Sequence, residues 1–518
     1  MPLHRLIALL LCSLLFACAS LPENYEREHS WKLDTSDSRV ATILAEDLAA
    51  HPDLSGAYPL HLGMEALAAR IVLARAAEKS LDVQYYIWHS DMAGRLLLKE
   101  LLDAADRGVR VRLLLDDIGA GAADDEAFLL LNSHPNVSVH LFNPIALRGA
   151  RTMGLLADPL RLNQRMHNKS MTADNLLTVV GGRNIGNEYF SLDELVNFAD
   201  MDVLAIGPVV DQVSDAFDLF WNSEASFPIT AFHEESRSAE QLAMARKELD
   251  GFVADNGRPY YEAMGSTSFD IDLQPRDVEL YWGEITALFD LPEKALGEET
   301  DLLLDQLGNL LGTVQRDALI VSPYFVPGKE GTAALVAAVA RGVRVRVFTN
   351  SLAATDVGAV HAGYKKSRRK LLEGGVELFE MRPQLHVDKD TQGKLAFSGS
   401  SGASLHAKMF VFDKERVFIG SMNLDPRSID INTEIGLLID SPELAVDLEN
   451  RFKTKRANAF SSVVLEPTNP EKPSGRQRLV WIEHKDGEEI RHTKEPNTTF
   501  WQRLGVDFIS LLPVDSQL

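Results

Sequence analysis

The composition of this 518-residue chain is that of an ordinary globular protein, with 45% hydrophobic and 25% charged residues. Its length exceeds the size at which a single hydrophobic core stops growing, so we expect two or more structural units. The formal net charge of −23 argues against loose, non-specific binding of nucleic acid. It is compatible with a local basic site for an anionic substrate.

An apolar run near the N-terminus predicts an export signal. Residues 6–17 form this run, which follows a positively charged start and is short for a membrane-spanning helix. The run leads into Cys18 through a sequence that is similar to the lipobox of bacterial lipoproteins, with the bulky Phe16 where small residues are usual. We therefore expect residues 1–17 to be a signal peptide of the lipoprotein type.

Lipidation of Cys18 would attach the mature protein to a membrane. We expect this attachment on the periplasmic side, and the outer membrane is favoured because Ala19 is not the acidic residue associated with inner-membrane retention. An uncleaved signal-anchor in the inner membrane is the alternative. Cleavage would also remove Cys12, so the mature chain could contain no intrachain disulfide.

Two stretches of the chain follow the same order of strand and helix. In each, an apolar strand precedes a helical stretch that ends in Arg-Gly, a stop signal for helices, and a strand rich in β-branched residues follows. Strands that alternate with helices predict βαβ units. The matching segments are residues 81–88, 107–114 and 137–142 in the first copy and residues 318–325, 341–348 and 376–379 in the second.

This internal repeat predicts an α/β protein with two α/β/α halves. We expect mixed, largely parallel sheets that are related by a pseudo-twofold axis, with the chemistry where the halves meet. The predicted divisions after the signal are an N-terminal segment (18–64), the first repeat (65–222), a polar linker and substrate-side insertion (223–300), the second repeat (301–466), and a C-terminal hairpin with an amphipathic segment (467–518).

Each copy ends in the same polar signature, in which a histidine, a lysine, an aspartate, a glycine and an asparagine recur at fixed spacing. Residues i and i+2 of a strand point to the same face, so each histidine and its lysine emerge together. Such a duplicated pattern is hard to attribute to chance. The residues are His167, Lys169, Asp174, Gly181 and Asn184 in the first copy and His406, Lys408, Asp413, Gly420 and Asn423 in the second.

The two signatures together contain the groups that a phosphodiester requires. Lysines and amides would stabilise the charge that develops on the phosphoryl oxygens, while one histidine attacks phosphorus and the other protonates the leaving alkoxide. The small residues Gly182 and Ser421 are expected beside the substrate, because they let the backbone approach it closely. A catalytic histidine also needs an orienting acid, and Asp200 and Glu434 stand at comparable places after the two motifs.

The doubled HxKxxxxD motif, followed by GGxN or GSxN, resembles the signature of the phospholipase D superfamily. The resemblance implies a covalent phosphohistidine, with no metal and no cofactor. It implies that His167 is the nucleophile and that His406 is the general acid and then the general base. The resemblance also implies that phosphate is bound by Lys169, Lys408, Asn184 and Asn423. It implies a mainly structural function for Asp174 and Asp413. Glu434 and Asp200 would polarise the histidines, and Asp202 is an alternative to Asp200 in this role.

Several segments narrow the resemblance to the C-type branch of the bacterial cardiolipin synthases. They are residues 82–88, 165–169, 420–428 and the stretch that begins at Phe500. This implies transfer of a phosphatidyl group onto phosphatidylglycerol at a membrane surface, with phosphatidylethanolamine as one candidate donor. A hydrolytic phospholipase D, a nuclease and a non-catalytic lipid-binding lipoprotein are the alternatives. The acidic charge balance, the export signal and the lack of an aromatic-basic stacking pattern argue against nucleic acid as a partner.

Two further segments have two interpretations each. The basic run at residues 365–370 could bind anionic head groups or be the solvated face of a helix. Apolar residues near the C-terminus recur at helical spacing and predict either an interfacial amphipathic helix or a helix docked on the domain. These residues are Phe500, Trp501, Leu504, Phe508, Leu511 and Leu512.

Overall fold

The structure is a computed structural model. It describes residues 20–511 except 24, 120–124, 193–195, 234, 270–277, 299, 301–302, 384–401, 470, 473–474 and 486. The predicted signal peptide, Cys18 and Leu512 lie outside the described residues.

The described residues form a mixed α/β protein. The helices are α1 (Arg39–Ala50), α2 (Gly63–Ala76), α3 (Met92–Asp106), α4 (Asp125–Asn132), α5 (Arg151–Ala157), α6 (Pro159–Asn163), α7 (Pro208–Trp221), α8 (Ala239–Asn256), α9 (Arg258–Met264), α10 (Leu303–Thr313), α11 (Gly328–Ala340), α12 (Gly358–Glu373), α13 (Pro426–Asp430), α14 (Pro442–Ala459) and α15 (Phe500–Ser510). None of them is both long and apolar enough to cross a bilayer.

The strands are β1 (Ser55–Leu60), β2 (Ser80–Tyr85), β3 (Arg110–Asp116), β4 (Val137–Phe142), β5 (Ser170–Ala173), β6 (Leu177–Gly181), β7 (Val196–Ala199), β8 (Asp202–Ile206), β9 (Ser226–Pro228), β10 (Tyr281–Phe289), β11 (Asp317–Val321), β12 (Arg344–Asn350), β13 (Glu377–Met381), β14 (Gly402–Leu405), β15 (Lys408–Phe412), β16 (Arg416–Gly420), β17 (Ile435–Asp440), β18 (Phe460–Pro467), β19 (Gln477–Lys485) and β20 (Glu488–His492). Short 3-10 helices lie at 148–150, 187–189, 229–232 and 292–296.

The predicted internal repeat is present in the sheet. From one edge the first repeat runs β9-β4-β3-β2-β5-β6-β8-β1, and the second runs β10-β17-β16-β15-β11-β12-β13-β18, with β19 and β20 added at its far edge. The antiparallel pair β1–β10 joins the two halves. The strand order on one side of this pair is the reverse of the order on the other, as a pseudo-twofold between β1 and β10 requires.

Fewer strands pair in parallel than the sequence predicted. Within the two main sheets only β2–β3–β4 and β11–β12–β13 are parallel among the described strands. The expected "largely parallel" character is therefore wrong. The strands that carry the signatures, β5–β6 and β15–β16, are joined by turns of a few residues, and so short a connection permits only antiparallel pairing.

Three strands lie in the predicted N-terminal segment or the predicted linker. β1 lies in the N-terminal segment, and β9 and β10 lie in the linker. The region 223–300 therefore contributes one strand to each half of the sheet as well as connecting the repeats. The polar residues around β10 hid its alternating pattern, in which buried and exposed residues follow each other in YWGEITALF.

Local signals explain several element ends. The Arg-Gly stops after α3 and α11 place Gly108 and Gly342 at φ of 93° and 94°, where a glycine costs least. The predicted C-terminal hairpin is β19–β20, with Lys485 opposite Glu488 and Gly487 at φ 84° in the turn.

The two repeats share a hydrophobic core. Val180 and Val203 of the first repeat belong to the same buried cluster as Ile419 and Leu437 of the second. Burial of this surface is the main source of stability in such an interface. It therefore fixes the two signatures relative to each other.

Candidate active site

Each histidine segment pairs with a segment of the other repeat. The backbone N–H of His167 donates to the carbonyl oxygen of Thr433 at 2.9 Å, and the N–H of His406 donates to that of Ala199 at the same distance. The parallel pair β7–β14 leads into the second of these contacts. Thr433 and Ala199 immediately precede Glu434 and Asp200, so this pairing sets each acid beside the opposite histidine.

The predicted acids engage the histidines across the repeat boundary. Nδ1 of His167 lies 2.8 Å from Oε2 of Glu434, and Nδ1 of His406 lies 2.5 Å from Oδ2 of Asp200. All four side chains are buried. Because Nδ1 is engaged, each ring has Nε2 left for chemistry. Asp202, the competing candidate, instead accepts from Arg70 and the backbone of Arg183.

The two small residues Gly182 and Ser421 lie against the acids. A Cβ on Gly182 would approach Oδ1 of Asp200 to 2.3 Å, so only glycine leaves room for that carboxylate. The hydroxyl of Ser421 donates to Oε2 of Glu434 at 2.5 Å. The structure therefore places both residues against the acids, and their predicted contact with substrate stays a prediction.

The signature lysines are enclosed with the histidines. Nζ of Lys169 donates to the carbonyl of His167 at 2.6 Å, and Nζ of Lys408 donates to the carbonyl of His406 at 2.6 Å. Nζ of Lys408 also lies 3.0 Å from Nε2 of His406. Both lysines are at most 1% exposed, so their charges act in a medium of low dielectric constant.

The signature asparagines differ in their contacts. Asn184 donates to the hydroxyl of Tyr189 at 2.9 Å and accepts from the N–H of Ile87. The side-chain oxygen of Asn423 is buried and has no hydrogen-bond partner among the described residues. A buried polar atom without a partner is costly, so this oxygen is available for a substrate donor.

Aromatic rings border the histidines. The ring of Tyr86 lies 5.1 Å from that of His167, edge to face, and Tyr189 is arranged in the same way at 5.3 Å from His406. Phe198 lies 5.0 Å from His406. These rings restrict the rotation of the imidazoles and reduce their contact with water.

The electrostatic environment keeps His167 neutral. Burial, and then the charges of Lys169 and Lys408, lower the pKa of His167 well below its ordinary value. Burial also lowers the pKa of Lys169 to about 7 and that of Lys408 to about 8. An anionic phosphodiester beside these ammonium groups would favour their charged forms.

The two acids are not equivalent. Burial raises the pKa of Glu434 to about 7. Burial also acts to raise the pKa of Asp200, but the charges of His406 and Lys408 outweigh it and lower that pKa below its ordinary value. Asp200 is therefore the firmly ionised partner, which favours a proton on His406. Burial and Lys408 oppose this effect and lower the pKa of His406.

The signature aspartates lie at the opposite edge of the sheets. The carboxylate of Asp174 accepts from the N–H groups of residues 78–80 at 2.8–2.9 Å, where β2 begins. Asp413 accepts in the same way from residues 315–317 at 2.7–2.9 Å, where β11 begins. Neither contacts a signature histidine in the described residues, so the geometry assigns them to strand positioning.

Comparison with known proteins shows the family. The family model described as "Cardiolipin synthase, PLD-like domain" matches residues 71–221 and 307–456. The chain belongs to this cardiolipin synthase family. One matched range lies in each half of the sheet, which confirms the resemblance that the duplicated motifs predicted.

Individual relatives agree with the family. The chain is 42% identical over 481 residues to cardiolipin synthase C of Escherichia coli (strain K12), covering 92% of this chain and 99% of that protein. It is 27% identical over 391 residues to cardiolipin synthase A of Pseudomonas syringae pv. syringae, covering 75% and 66%. The crystal structure of phosphatidylserine synthase from Haemophilus influenzae Rd KW20 matches with a TM-score of 0.53 at 18% identity, over 81% of this chain and 91% of that one. It confirms the α/β fold.

The structure adds site residues that sequence reasoning missed in this member of the cardiolipin synthase family. Arg427 donates through both guanidinium nitrogens to Asn163, at 2.7 and 2.8 Å, and its charge acts on His167. Asp356 accepts from the hydroxyl of Tyr324 at 2.6 Å, and its charge acts on His406. Arg427 follows Asn423 within the segment 420–428 that carried the family resemblance, so the sequence offered a reason to expect it at the site. The sequence offered no such reason for Asp356.

A group that could hold a metal ion lies apart from the histidine pairs. His89, Asp91 and Glu188 have ligand atoms within 4.8 Å of one another, and among the described residues no other such trio occurs. Asp91 also caps α3 and accepts from the N–H of Asn187. The hydrogen bonds of the signature histidines go to other acids, Glu434 and Asp200.

Proposed function

We propose that this protein is a phosphatidyltransferase that makes cardiolipin from phosphatidylglycerol through a phosphohistidine intermediate. The observation that carries the proposal is the pair of buried histidines, each oriented by an acid of the opposite repeat and accompanied by a buried lysine. Membership of the cardiolipin synthase family supports the choice of substrate class.

In the first step Nε2 of neutral His167 attacks the phosphorus of the donor lipid. The bond from phosphorus to the head-group oxygen breaks, and protonated His406 gives its proton to that oxygen. The ammonium groups of Lys169 and Lys408 stabilise the extra charge on the phosphoryl oxygens. The head group leaves as an alcohol, and the phosphatidyl group stays on His167.

In the second step His406 takes a proton from a glycerol hydroxyl of phosphatidylglycerol. The oxygen attacks phosphorus, the bond to His167 breaks, and cardiolipin forms. Aromatic rings around the imidazoles help to exclude water, which favours the lipid alcohol as acceptor. A donor such as phosphatidylethanolamine would release ethanolamine.

Product analysis tests this proposal. Purified protein in mixed micelles of phosphatidylglycerol, with and without phosphatidylethanolamine, should form cardiolipin, and His167→Ala should form none. Dependence on the second lipid would identify the donor. Phosphatidic acid as the sole product would mean that water is the acceptor, and a hydrolytic phospholipase D would replace the transferase.

We also propose that Cys18 carries a lipid anchor on the periplasmic side, with the outer membrane favoured. The support is the lipobox-like sequence before it. Radiolabelled palmitate should label the wild type in cells and should not label Cys18→Ala. Equal labelling of both would contradict the anchor and favour an uncleaved signal-anchor.

A further inference from the structure

Helix α15 has two apolar faces, and the described residues of the protein cover only one of them. Val506, 5% exposed, packs with Leu352 and Ala362, and Ile509 packs against the same cluster. At 3.6 residues per turn the remaining apolar residues fall within an arc of about 100° on the other side of the helix. Their exposures are 62% for Phe500, 74% for Trp501, 46% for Leu504, 64% for Phe508 and 83% for Leu511.

This arrangement combines the two interpretations of the C-terminal segment. The helix is docked, and it also presents a face, including Trp501 and Phe508, that no described residue covers. Large aromatic groups together on one exposed face mark an interaction surface in soluble proteins. We call this set of five residues the C-terminal apolar face.

Positive charge borders the C-terminal apolar face. Asp507 at its margin forms an ion pair with Lys365 of α12. The same helix exposes Lys366, Arg369 and Lys370, whereas Arg368 is buried between Glu380 and Glu495. One residue of the basic run is therefore buried in ion pairs, and three are exposed to solvent. These three form a local group of positive charge on a chain whose net charge is −23.

A second exposed apolar group lies on α5 and α6, in the first repeat. Leu156 is 77% exposed and Leu160 86%, with Met153 at 44% and Leu155 at 37%. We call these four residues the first-repeat apolar lip. They stand on two short helices that end just before the segment of His167.

Contacts through α6 and α12 connect the elements that carry the two surfaces to residues near the histidines. Asn163, at the end of α6, binds Arg427, whose charge acts on His167. On the other side, a Cβ at Gly358 would lie 3.9 Å from Val506 of α15. Gly358 begins α12 two residues after Asp356, whose charge acts on His406. The first-repeat apolar lip is thus connected through α6 and Arg427 to His167, and α15 is connected through α12 and Asp356 to His406.

We propose that the C-terminal apolar face and the first-repeat apolar lip together dock the protein onto a phospholipid bilayer that contains anionic lipid, with the active site opening between them. This inference rests on the proposed function, since a two-chain lipid can present its phosphodiester to buried histidines without leaving the bilayer only if the opening meets the bilayer surface. The exposed aromatic and leucine side chains would enter the boundary of the acyl chains, and the basic residues of α12 would contact anionic head groups.

Depth-dependent fluorescence quenching tests the contact directly in the full-length chain. Vesicles of phosphatidylglycerol and phosphatidylethanolamine with brominated acyl chains should quench the wild type more than Trp501→Phe. Leu156→Trp should add a fluorophore that is also quenched. The matched control is Ile43→Trp, because Ile43 is 59% exposed on α1, which contacts Glu78 at the opposite edge of the sheet from the histidines. Equal quenching at all these positions, or at none, would overturn the proposal.

Activity separates this proposal from the proposed function. The triple variant Phe500→Ser, Trp501→Ser and Phe508→Ser should lower turnover of bilayer substrate at least tenfold, and it should leave turnover of short-chain, monomeric phosphatidylglycerol within twofold. Trp501→Phe should retain both activities. Loss of both activities in the triple variant would assign the face a folding role and contradict docking. If the wild type made no cardiolipin but Trp501 and the added fluorophore of Leu156→Trp were still quenched, the proposed function would fail and the docking surface would stand.

Discussion

The two catalytic histidines, His167 and His406, lie in different electrostatic surroundings. His406 faces Asp200, a carboxylate held in its ionised form, whereas His167 faces Glu434, whose pKa burial raises to about 7. A neutral imidazole with its Nδ1–H directed at Glu434 exposes the Nε2 lone pair, as a nucleophile must. An imidazole beside a firmly ionised carboxylate is better suited to carry a proton. The surroundings thus agree with the roles that the family pattern implies for the two histidines.

Removal of the acids should lower turnover without loss of the fold. We expect Glu434→Gln and Asp200→Asn each to reduce kcat/KM by a factor on the order of 10²–10⁴, the usual contribution of positioned acid–base groups. The measurement is cardiolipin formation with thermal unfolding in parallel. Asp430→Asn, at an exposed position near the site, is the control and should be neutral. Near-normal rates in both acid variants would contradict the orienting role.

The pH dependence of kcat/KM should be bell-shaped. Glu434 must be ionised to hold the useful tautomer of His167, so activity is lost as the pH falls through about 7. Lys169 and Lys408 must both be charged, and their pKa values are about 7 and about 8, so activity is lost again as the pH rises above about 7. Because the buried groups are coupled, the two limbs belong to the site as a whole. A rate measured in micelles that is constant from about pH 7 to about pH 10 would contradict the role of the lysines.

At the scale of elements, the signature aspartates join the end of one strand to the beginning of another. Each carboxylate accepts three backbone N–H groups, and each aspartate has a positive φ, 51° for Asp174 and 54° for Asp413. Asparagine tolerates this backbone conformation better than alanine does. The spacing from lysine to aspartate in the motif is thus the length of strand between the active site and the opposite sheet edge.

Replacement of a signature aspartate should lower the stability of the fold more than the activity of the enzyme. Asp413→Ala leaves three N–H groups without their acceptor, and hydrogen bonds to a charged group contribute about 1.5–3 kcal/mol each, so we expect a loss of about 3 kcal/mol or more. Asp413→Asn should lose less, since it keeps one acceptor oxygen and the favourable φ. Midpoints of urea unfolding measure the difference. Equal midpoints for the two variants would show that the hydrogen bonds to the Asp413 carboxylate do not stabilise the fold.

The sequence predicted the elements best where the pattern is local. Alternation of strand and helix, the Arg-Gly stops and the spacing inside each signature all depend on nearby residues, and they led to the two repeats. β10 was missed because its polar surroundings resemble a linker. The antiparallel pairing of β5 with β2 and of β15 with β11 was missed, because the sequence of a strand does not indicate the direction of the strand beside it.

At the scale of the whole molecule, the pairing of histidines with acids crosses from one repeat to the other. His167 and Glu434 are 267 positions apart, and His406 and Asp200 are 206 apart. The sequence identified all four residues, but it could not assign the pairs, since each acid follows the signature of its own repeat. Only the association of the two halves around β1 and β10 determines the assignment.

Double substitutions can check this assignment. In the His406→Ala background, Asp200→Asn should cause little further loss of kcat/KM, because its partner is already gone. In the Glu434→Gln background the loss from Asp200→Asn should be greater. Residues that act as a unit show this non-additivity. The opposite pattern, with Asp200 coupled to His167, would contradict the crossed pairing.

The crossed pairing also bears on how a duplicated chain can change over time. After most duplications one copy is free to decay while the other keeps working. Here each copy holds the carboxylate that the other's histidine requires, so damage to either acid would disable a histidine in the copy that is still intact. Neither copy is a spare. Two complete signatures in one chain are therefore what selection on a single activity would preserve.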